Sequence, residues 1–404
     1  MPTTSSMPNA ASLSVRGPKY NFALGYLRAF VVVLVVAHHA LLAYFPYAPP
    51  VPVSLAARPL WWTAFPVVDT QRWAASAFLV SFNDIFFMSL MFFLSGLFVW
   101  QGLARRGSGS FVRGRLLRLG VPFAIAAGLL APLAYFPTYL QMQGHAGVAG
   151  FWHQWLSMGV WPAGPAWFIW VLLAFDCIAA ALFLASPKWG EFLGRWVGGV
   201  SRRPVAFFAA LVAVSAAAYI PMALKFNSLS WAAFGPFTFQ TSRILHYFVY
   251  FLVAVGVGAW GVERGLLAAD GKLARRWPQW VAASLLLYVA VTIAAIAPAM
   301  AHSELKTTIT YALWVLSCAA TCFAFLAIFL RFAQQKSRIL DSLSANSYAI
   351  YLVHYAIVSW LQFALLPAAW PGFAKATIAF AGAVALSWGL AASIRRIPAV
   401  ARTI

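Results

Sequence analysis

Ten long apolar runs follow one another along the chain, separated by short polar segments. They cover about residues 22–45, 77–101, 116–139, 164–186, 205–224, 243–262, 279–299, 307–331, 346–367 and 373–393. Each run is close to the ~20 residues that an α-helix needs to cross ~30 Å of hydrocarbon. The pattern predicts an all-α, polytopic membrane helix bundle of about ten transmembrane helices within residues 22–394. We expect residues 1–21 to form a disordered cytoplasmic tail and residues 395–404 a basic cytoplasmic tail.

The composition supports this prediction. Of 404 residues, 63% are hydrophobic and only 9% are charged, whereas a soluble domain carries roughly 25% charged residues. A soluble core has no room for so much apolar surface, so the predicted solvent for most of the chain is the lipid bilayer. The length then indicates one helix bundle rather than several soluble domains.

The Lys and Arg residues predict how the bundle is oriented. The net charge is +20, but the cations lie in short clusters between apolar runs, which argues against a nucleic-acid-binding domain. If the N-terminus is cytoplasmic, 22 of the 28 face inward, as the positive-inside rule requires. The exceptions on the outer side are Arg58, Arg72, Lys225, Arg243, Lys306 and Lys375. We therefore expect both termini in the cytoplasm and a multi-pass protein of the inner cell membrane, with a homo-oligomer left open.

The three cysteines do not indicate a metal site. Cys177, Cys318 and Cys322 lie inside apolar runs, with no further Cys or His at metal-ligand spacing. Small buried side chains are the simpler interpretation, so no metal is predicted.

The first apolar run contains Arg28, His38 and His39. Eleven residues of helix make three turns plus about 20°, so Arg28 and His39 share one face, about 16 Å apart along the axis. His38 points about 80° away from Arg28. A neutral imidazole near mid-membrane can accept a proton from a hydroxyl nucleophile, which makes His39 a candidate general base. The alternative is a structural histidine packed between helices.

Two carboxylates lie inside apolar runs, where charged groups are costly and often functional. Asp84 is predicted either to orient an imidazole or to pair with Arg28 or Arg243. Asp176 lies in the fourth run and is a candidate substrate-binding residue. Close to Asp84 in sequence, Ser95 and Gly96 are predicted to mark a close-packing point between helices.

Arg113, Arg115 and Arg118 precede the third apolar run. Arg115 and Arg118 are neighbours on one helical face, and guanidinium groups at a helix N-terminus form a phosphate site. The alternative is that the cluster only determines topology. That alternative explains the positive charge, but not why Arg118 enters an apolar run.

Aromatic and histidine side chains mark two other helices. The fourth begins with Trp167, and the ninth places Tyr351 and His354 three residues apart on one face. All three are candidate substrate-binding residues. His354 could line the same cavity as His39, or end a packed aromatic stripe. The outer segments 46–76 and 140–163 are rich in Trp, which indicates either an interfacial aromatic belt or a platform for a sugar ring.

Five short motifs, in this order on these helices, resemble those of the acyltransferase-3 family. They are Arg28 with His39, Phe92-Phe93-Leu94-Ser95-Gly96, Arg115-x-x-Arg118 before Val121-Pro122, Trp167-Phe168, and Ser347-Tyr348-Ala-Ile-Tyr351-Leu-Val-His354. The resemblance runs from about residue 20 to the end. Within the family, the chain is most similar to the glucans biosynthesis protein C group, which modifies periplasmic glucans with succinyl groups.

The resemblance implies a mechanism. Arg28 and His39 would carry catalysis, and Arg115 and Arg118 would hold the nucleotide phosphates of cytoplasmic acyl-CoA. The acyl group would pass to a hydroxyl of an outer-face glycan or lipid-linked sugar. The family usually has an acidic residue three positions before the first-helix Arg, where this chain has Gly25. Either Asp84 or Asp176 would then take over the pairing, or Arg28 would be held differently.

A secondary transporter is the main alternative function, because transporters also bury His, Asp and Arg near the midplane. The two halves show no matching pair of Gly/Pro-interrupted helices, which counts against it. A non-enzymatic assembly subunit has no need of two adjacent histidines in the membrane. A transporter moves its substrate unchanged, whereas an acyltransferase consumes acyl-CoA.

Overall fold

The computed structural model describes residues 22–144, 147–297, 304–401 and 403. The predicted N-terminal tail over residues 1–21 lies outside them. The principal helices are α1 Phe22–Leu42, α2 Ser76–Gly96, α3 Val99–Gln143, α4 Val148–Ser157, α5 Trp167–Ala185, α6 Trp189–Ser201, α7 Pro204–Phe226, α8 Ile244–Trp260, α9 Trp277–Ile296, α10 Glu304–Phe332, α11 Arg338–Leu365 and α12 Gly372–Ile394. A two-stranded antiparallel hairpin, β1 Trp231–Phe234 and β2 Phe237–Gln240, joins α7 to α8.

The prediction of a polytopic helix bundle is confirmed. Within the described ranges, nine helices are long and apolar enough to cross a membrane, and α8 is a tenth apolar helix of 17 residues. The peripheral helices α7, α9 and α12 bury only about a fifth of their apolar stretches. Their many exposed Leu and Ile side chains, such as Leu286 and Ile296, are expected for a surface that faces lipid.

The third helix begins much earlier than the apolar pattern predicted. The prediction began this helix near residue 116, but α3 begins at Val99 and includes the basic segment. Gly107 bends it with a φ of 71°, a conformation that glycine adopts without steric cost. Two π-helical stretches follow, at Leu116–Gly120 and Ala126–Leu130. Arg115 and Arg118 therefore lie within a long helix and not at a helix N-terminus.

Glycines allow α2 and α8 to cross at very short distance. A Cβ atom on Gly96 would lie 2.5 Å from the backbone oxygen of Phe251, and one on Gly258 would lie 1.9 Å from that of Leu97. Both distances are impossible for a real side chain, so the crossing requires glycine. This confirms the predicted close-packing point at Gly96.

Residues 43–75 fold over one end of the bundle, the end that the charge bias predicts to be extracytoplasmic. An ion pair ties this segment to α12, because Lys375 Nζ lies 2.7 Å from Asp69 Oδ2 and both side chains are buried. Trp62 and Trp155 are also buried there, in one apolar cluster. These two tryptophans therefore form part of a packed core and not an exposed platform.

Candidate active site

His39 and His354 meet at the centre of the candidate site. The two helices α1 and α11 pack together, and His354 Nε2 lies 3.2 Å from His39 Nδ1. Near the beginnings of the same two helices, the Tyr26 hydroxyl donates a hydrogen bond to Asp341 Oδ1 at 2.6 Å. Both contacts join residues 315 positions apart, so they hold the two helices in one register.

The helix bounds give the positions of the two histidines along α1 and α11. His39 is three residues before the end of α1, which ends at Leu42. His354 is about 24 Å along α11, since this helix begins at Arg338 rather than near residue 346. His39 is about 25 Å along α1. The two side chains therefore reach the same level.

Hydrogen bonds determine the tautomer of each ring. His39 Nδ1 lies 2.9 Å from the carbonyl oxygen of Val35, and His354 Nδ1 lies 2.6 Å from that of Tyr351. A carbonyl oxygen only accepts, so both Nδ1 atoms carry a proton. In neutral rings the single His39 Nδ1–H is then shared between the Val35 carbonyl oxygen and His354 Nε2 in a three-centre hydrogen bond. This assignment leaves the lone pair of His39 on Nε2, where it can act as a base.

Aromatic packing holds this pair in place. The ring of Tyr355 meets His39 edge-on, with 4.9 Å between centroids. Tyr351 donates its hydroxyl to the carbonyl oxygen of Pro165, which links α11 to the beginning of α5. Gly164 has a φ of +55°, and a Cβ there would lie 3.1 Å from the Tyr355 ring. The turn before α5 therefore holds the Tyr355 ring against His39.

Asp84 pairs with Arg243, one of the partners that the sequence left open. Arg243 Nη2 lies 2.7 Å from Asp84 Oδ2, and Nη1 lies 3.1 Å from the Asp84 backbone oxygen. His38 stacks on Phe87 of α2 and lies close enough to Asp84 for their charges to interact. The two adjacent histidines of α1 thus face different neighbours, His38 towards α2 and His39 towards α11.

Arg28 is separated from this cluster. It is exposed near the beginning of α1, about 16 Å along the helix axis from His39. This distance is longer than an Arg side chain, so His354 and not Arg28 contacts the His39 ring.

The predicted phosphate-binding arginines lie on one stretch of α3. Arg113 and Arg118 are exposed. Arg115 is partly buried, and its Nε lies 3.1 Å from Oδ2 of the fully buried Asp176. The structure therefore brings Asp176 to the arginine cluster and not to the histidines. Arg115 also lies over the Phe111 ring, with 5.0 Å between Cζ and the ring centroid.

Trp167 at the beginning of α5 lies between α8 and the hairpin. Its ring contacts Tyr247 and Trp231, with centroid distances of 5.9 Å and 5.5 Å. The indole nitrogen of Trp170 donates to the Thr238 carbonyl at 2.8 Å, which fixes the hairpin against α5. Within the described ranges, no group of three or more His, Cys, Asp or Glu could hold a metal ion.

Some residues of this site carry no local sequence signal. Tyr355 and Gly164 come from helices and turns distant in sequence, and Arg243 stood out only as one possible partner of Asp84. The positive φ of Gly164 depends on the turn before α5, and a lone glycine in an apolar segment does not reveal it.

Comparison with known proteins gives one match. The model of the acyltransferase-3 family, described as an acyltransferase domain, matches residues 21–392. No curated protein and no solved structure matches the chain.

Proposed function

Because the chain belongs to the acyltransferase-3 family, we propose that it is an O-acyltransferase with a site built inside the membrane bundle. The donor is cytoplasmic acyl-CoA carrying an acetyl, succinyl or similar group. The acceptor is a hydroxyl of an extracytoplasmic glycan or a lipid-linked sugar, as in the glucans biosynthesis protein C group. The protein is proposed to act in the inner cell membrane.

The His39–His354 contact is the observation that carries this proposal. As the acceptor hydroxyl oxygen attacks the thioester carbonyl carbon, His39 Nε2 takes the hydroxyl proton. The new C–O bond forms a tetrahedral intermediate, whose collapse breaks the C–S bond. The departing CoA thiolate then takes the proton from His39, so the products are the ester and CoA thiol.

His354 has a distinct part in these steps. When His39 becomes an imidazolium, its Nδ1–H donates to His354 Nε2 in a charge-assisted hydrogen bond, which is stronger than the neutral one. His354 therefore stabilises the charge that appears during proton transfer. It also keeps the His39 ring oriented, with Nε2 directed away from α11.

Arg113, Arg115 and Arg118 are proposed to bind the phosphates of the donor. Guanidinium groups match phosphate oxygens in geometry and charge. Arg113 and Arg118 are open to solvent, and Asp176 holds Arg115 by an ion pair. Arg28 lies too far from His39 to contact it, so we place it on the donor side of the site.

The test uses purified protein in detergent with radiolabelled acetyl-CoA and succinyl-CoA. Wild type should bind and consume acyl-CoA. His39→Ala should abolish transfer while retaining donor binding, and the double variant Arg115→Ala/Arg118→Ala should lose donor binding. His153→Ala is the matched control, because His153 is exposed on α4 outside the site.

Two results would contradict the proposal. If wild type binds no acyl-CoA, the chain does not have the donor chemistry of its family. If His39→Ala transfers acyl groups at the wild-type rate, His39 is not the base. Uptake of an unmodified substrate into vesicles, without acyl-CoA consumption, would instead support a secondary transporter.

A further inference from the structure

A second polar site lies beside the histidines, between α2 and α8. The Arg243 side chain is 4% exposed, whereas that of Asp84, its ion-pair partner, is 42% exposed. The part of α2 that follows, from Phe86 to Leu94, is buried. One carboxylate inside an apolar helix is therefore partly exposed, at a place where exposed charge is costly unless it has a use.

Arg243 keeps one hydrogen-bond donor without a partner. Its two Nη atoms bind Asp84, but Nε is buried and donates to no described residue. Buried donors in folded proteins are almost always satisfied. The side chains of Tyr219 and Tyr247 also interact with the guanidinium, and Nε–H is the donor left for a ligand oxygen.

Aromatic rings surround the pair. Arg243 lies over the Trp314 ring, with 4.7 Å between Cζ and the centroid. On the other side, the Tyr247 ring leads to Trp167 and then to Trp231 on the hairpin, which is 51% exposed. A row of aromatic faces thus runs from the surface towards the ion pair.

The site is also next to the proposed base. Asp84 lies within electrostatic reach of His38, and the rings of His38 and His39 have centroids 5.4 Å apart. A ligand bound at Asp84 and Arg243 would lie beside His38, which precedes the proposed base His39 on α1.

The charges indicate which ligands fit. Asp84 neutralises Arg243, so the pair has no net charge to attract a phosphate or carboxylate ligand. The carboxylate oxygens of Asp84 accept hydrogen bonds, and Nε–H of Arg243 donates one. Hydroxyl groups both donate and accept, and the apolar face of a sugar ring packs on aromatic rings such as Trp167 and Trp231. An anionic headgroup would meet the Asp84 carboxylate at close range.

We propose that Asp84 and Arg243 form the acceptor-binding site and that it takes a neutral sugar ring. Asp84 accepts hydrogen bonds from ring hydroxyls, Arg243 Nε–H donates to a ring or hydroxyl oxygen, and Trp167 and Trp231 receive the ring face. This inference rests on the proposed acyl transfer, and it adds the place and charge class of the acceptor.

The experiment measures acyl transfer from radiolabelled acetyl-CoA and succinyl-CoA to a linear glucose oligomer and to a glucuronic acid oligomer of equal length. Asp84→Asn and Arg243→Gln each remove a charged hydrogen-bonding group. We expect the KM for the glucose oligomer to rise about tenfold or more, with donor binding unchanged. Direct binding of each oligomer is measured on the same samples without donor.

The ion pair of Asp69 and Lys375 is the matched control, because its N–O distance is also 2.7 Å but it lies between residues 43–75 and α12. Asp69→Asn should lower the unfolding temperature and leave the acceptor KM unchanged. Trp231→Ala should raise the KM for the glucose oligomer, although its exposed side chain contributes little to the core.

The outcomes separate this inference from the proposed function. It is overturned if Asp84→Asn and Arg243→Gln change oligomer binding no more than Asp69→Asn does. It is also overturned if wild type binds the glucuronic acid oligomer more tightly than the glucose oligomer, or binds neither. If wild type binds the glucose oligomer but consumes no acyl-CoA, the proposed function fails while the sugar site stands.

Discussion

Replacing His354 tests the proposed catalytic arrangement most directly. The imidazole of His354 is fully buried. Among the described residues, His354 is the only one whose side chain forms a hydrogen bond with the His39 ring, and its Nε2 accepts that bond. His354→Leu removes this acceptor while keeping an apolar side chain in the same space. His354→Gln places an amide oxygen where it can accept from His39 Nδ1–H.

The expected magnitude follows from the hydrogen bond. A hydrogen bond to a charged group contributes about 1.5–3 kcal/mol. The bond to His354 gains this strength only when His39 is protonated, which occurs during proton transfer and not in the resting enzyme. His354→Leu should therefore lower kcat by about 10- to 150-fold, with little change in donor binding.

The assay is single-turnover acyl transfer by purified protein, with donor binding measured in parallel. His354→Gln should recover part of the lost kcat. His153→Leu, an exposed histidine on α4, is the control for the general effect of replacing a histidine. The unfolding temperature of every variant shows whether a rate change follows a loss of fold.

Two results would refute this reasoning. If His354→Leu keeps the wild-type kcat, the contact with His39 does not stabilise the transition state. If His354→Leu and His354→Gln lose activity equally and in proportion to a fall in unfolding temperature, the histidine has only a structural role.

Three other variants test the structure around the site. Asp69→Asn leaves a buried ammonium group without its partner and should reduce stability by about 3–5 kcal/mol, seen as a lower unfolding temperature in detergent; an unchanged temperature would contradict burial of the pair. Gly164→Ala should lower kcat, because the new Cβ would press on the Tyr355 ring at 3.1 Å. Gly159→Ala shares the positive φ but meets nothing within 4 Å, so it should leave kcat unchanged, and equal losses in both would point to backbone strain alone. Gly258→Ala would place a Cβ 1.9 Å from a backbone oxygen at the end of α2 and should prevent the native crossing, measured as loss of folded protein in size-exclusion chromatography.

The sequence alone determined the architecture and several candidate residues. Membrane solvent requires about 20 apolar residues for each crossing, so the spans could be predicted from composition along the chain. Helical periodicity also placed Arg28 and His39 on one face of α1, because that relation depends only on the spacing of residues within one helix. The early beginning of α3 was missed, since the segment after Val99 is too polar to be recognised as part of a membrane span and is helical with a bend at Gly107.

Only the tertiary structure decided which polar groups meet. His39 and His354 are 315 residues apart, and Asp84 and Arg243 are 159 apart, so no local pattern relates them. The sequence left Asp84 with more than one possible partner, and the packing of α2 against α8 selected Arg243. In the same way, the packing of α3 against α5 paired Asp176 with Arg115. Helix packing depends on side-chain fit between segments distant in sequence, and for that reason the apolar pattern predicted the helices but not the partners of their buried charges.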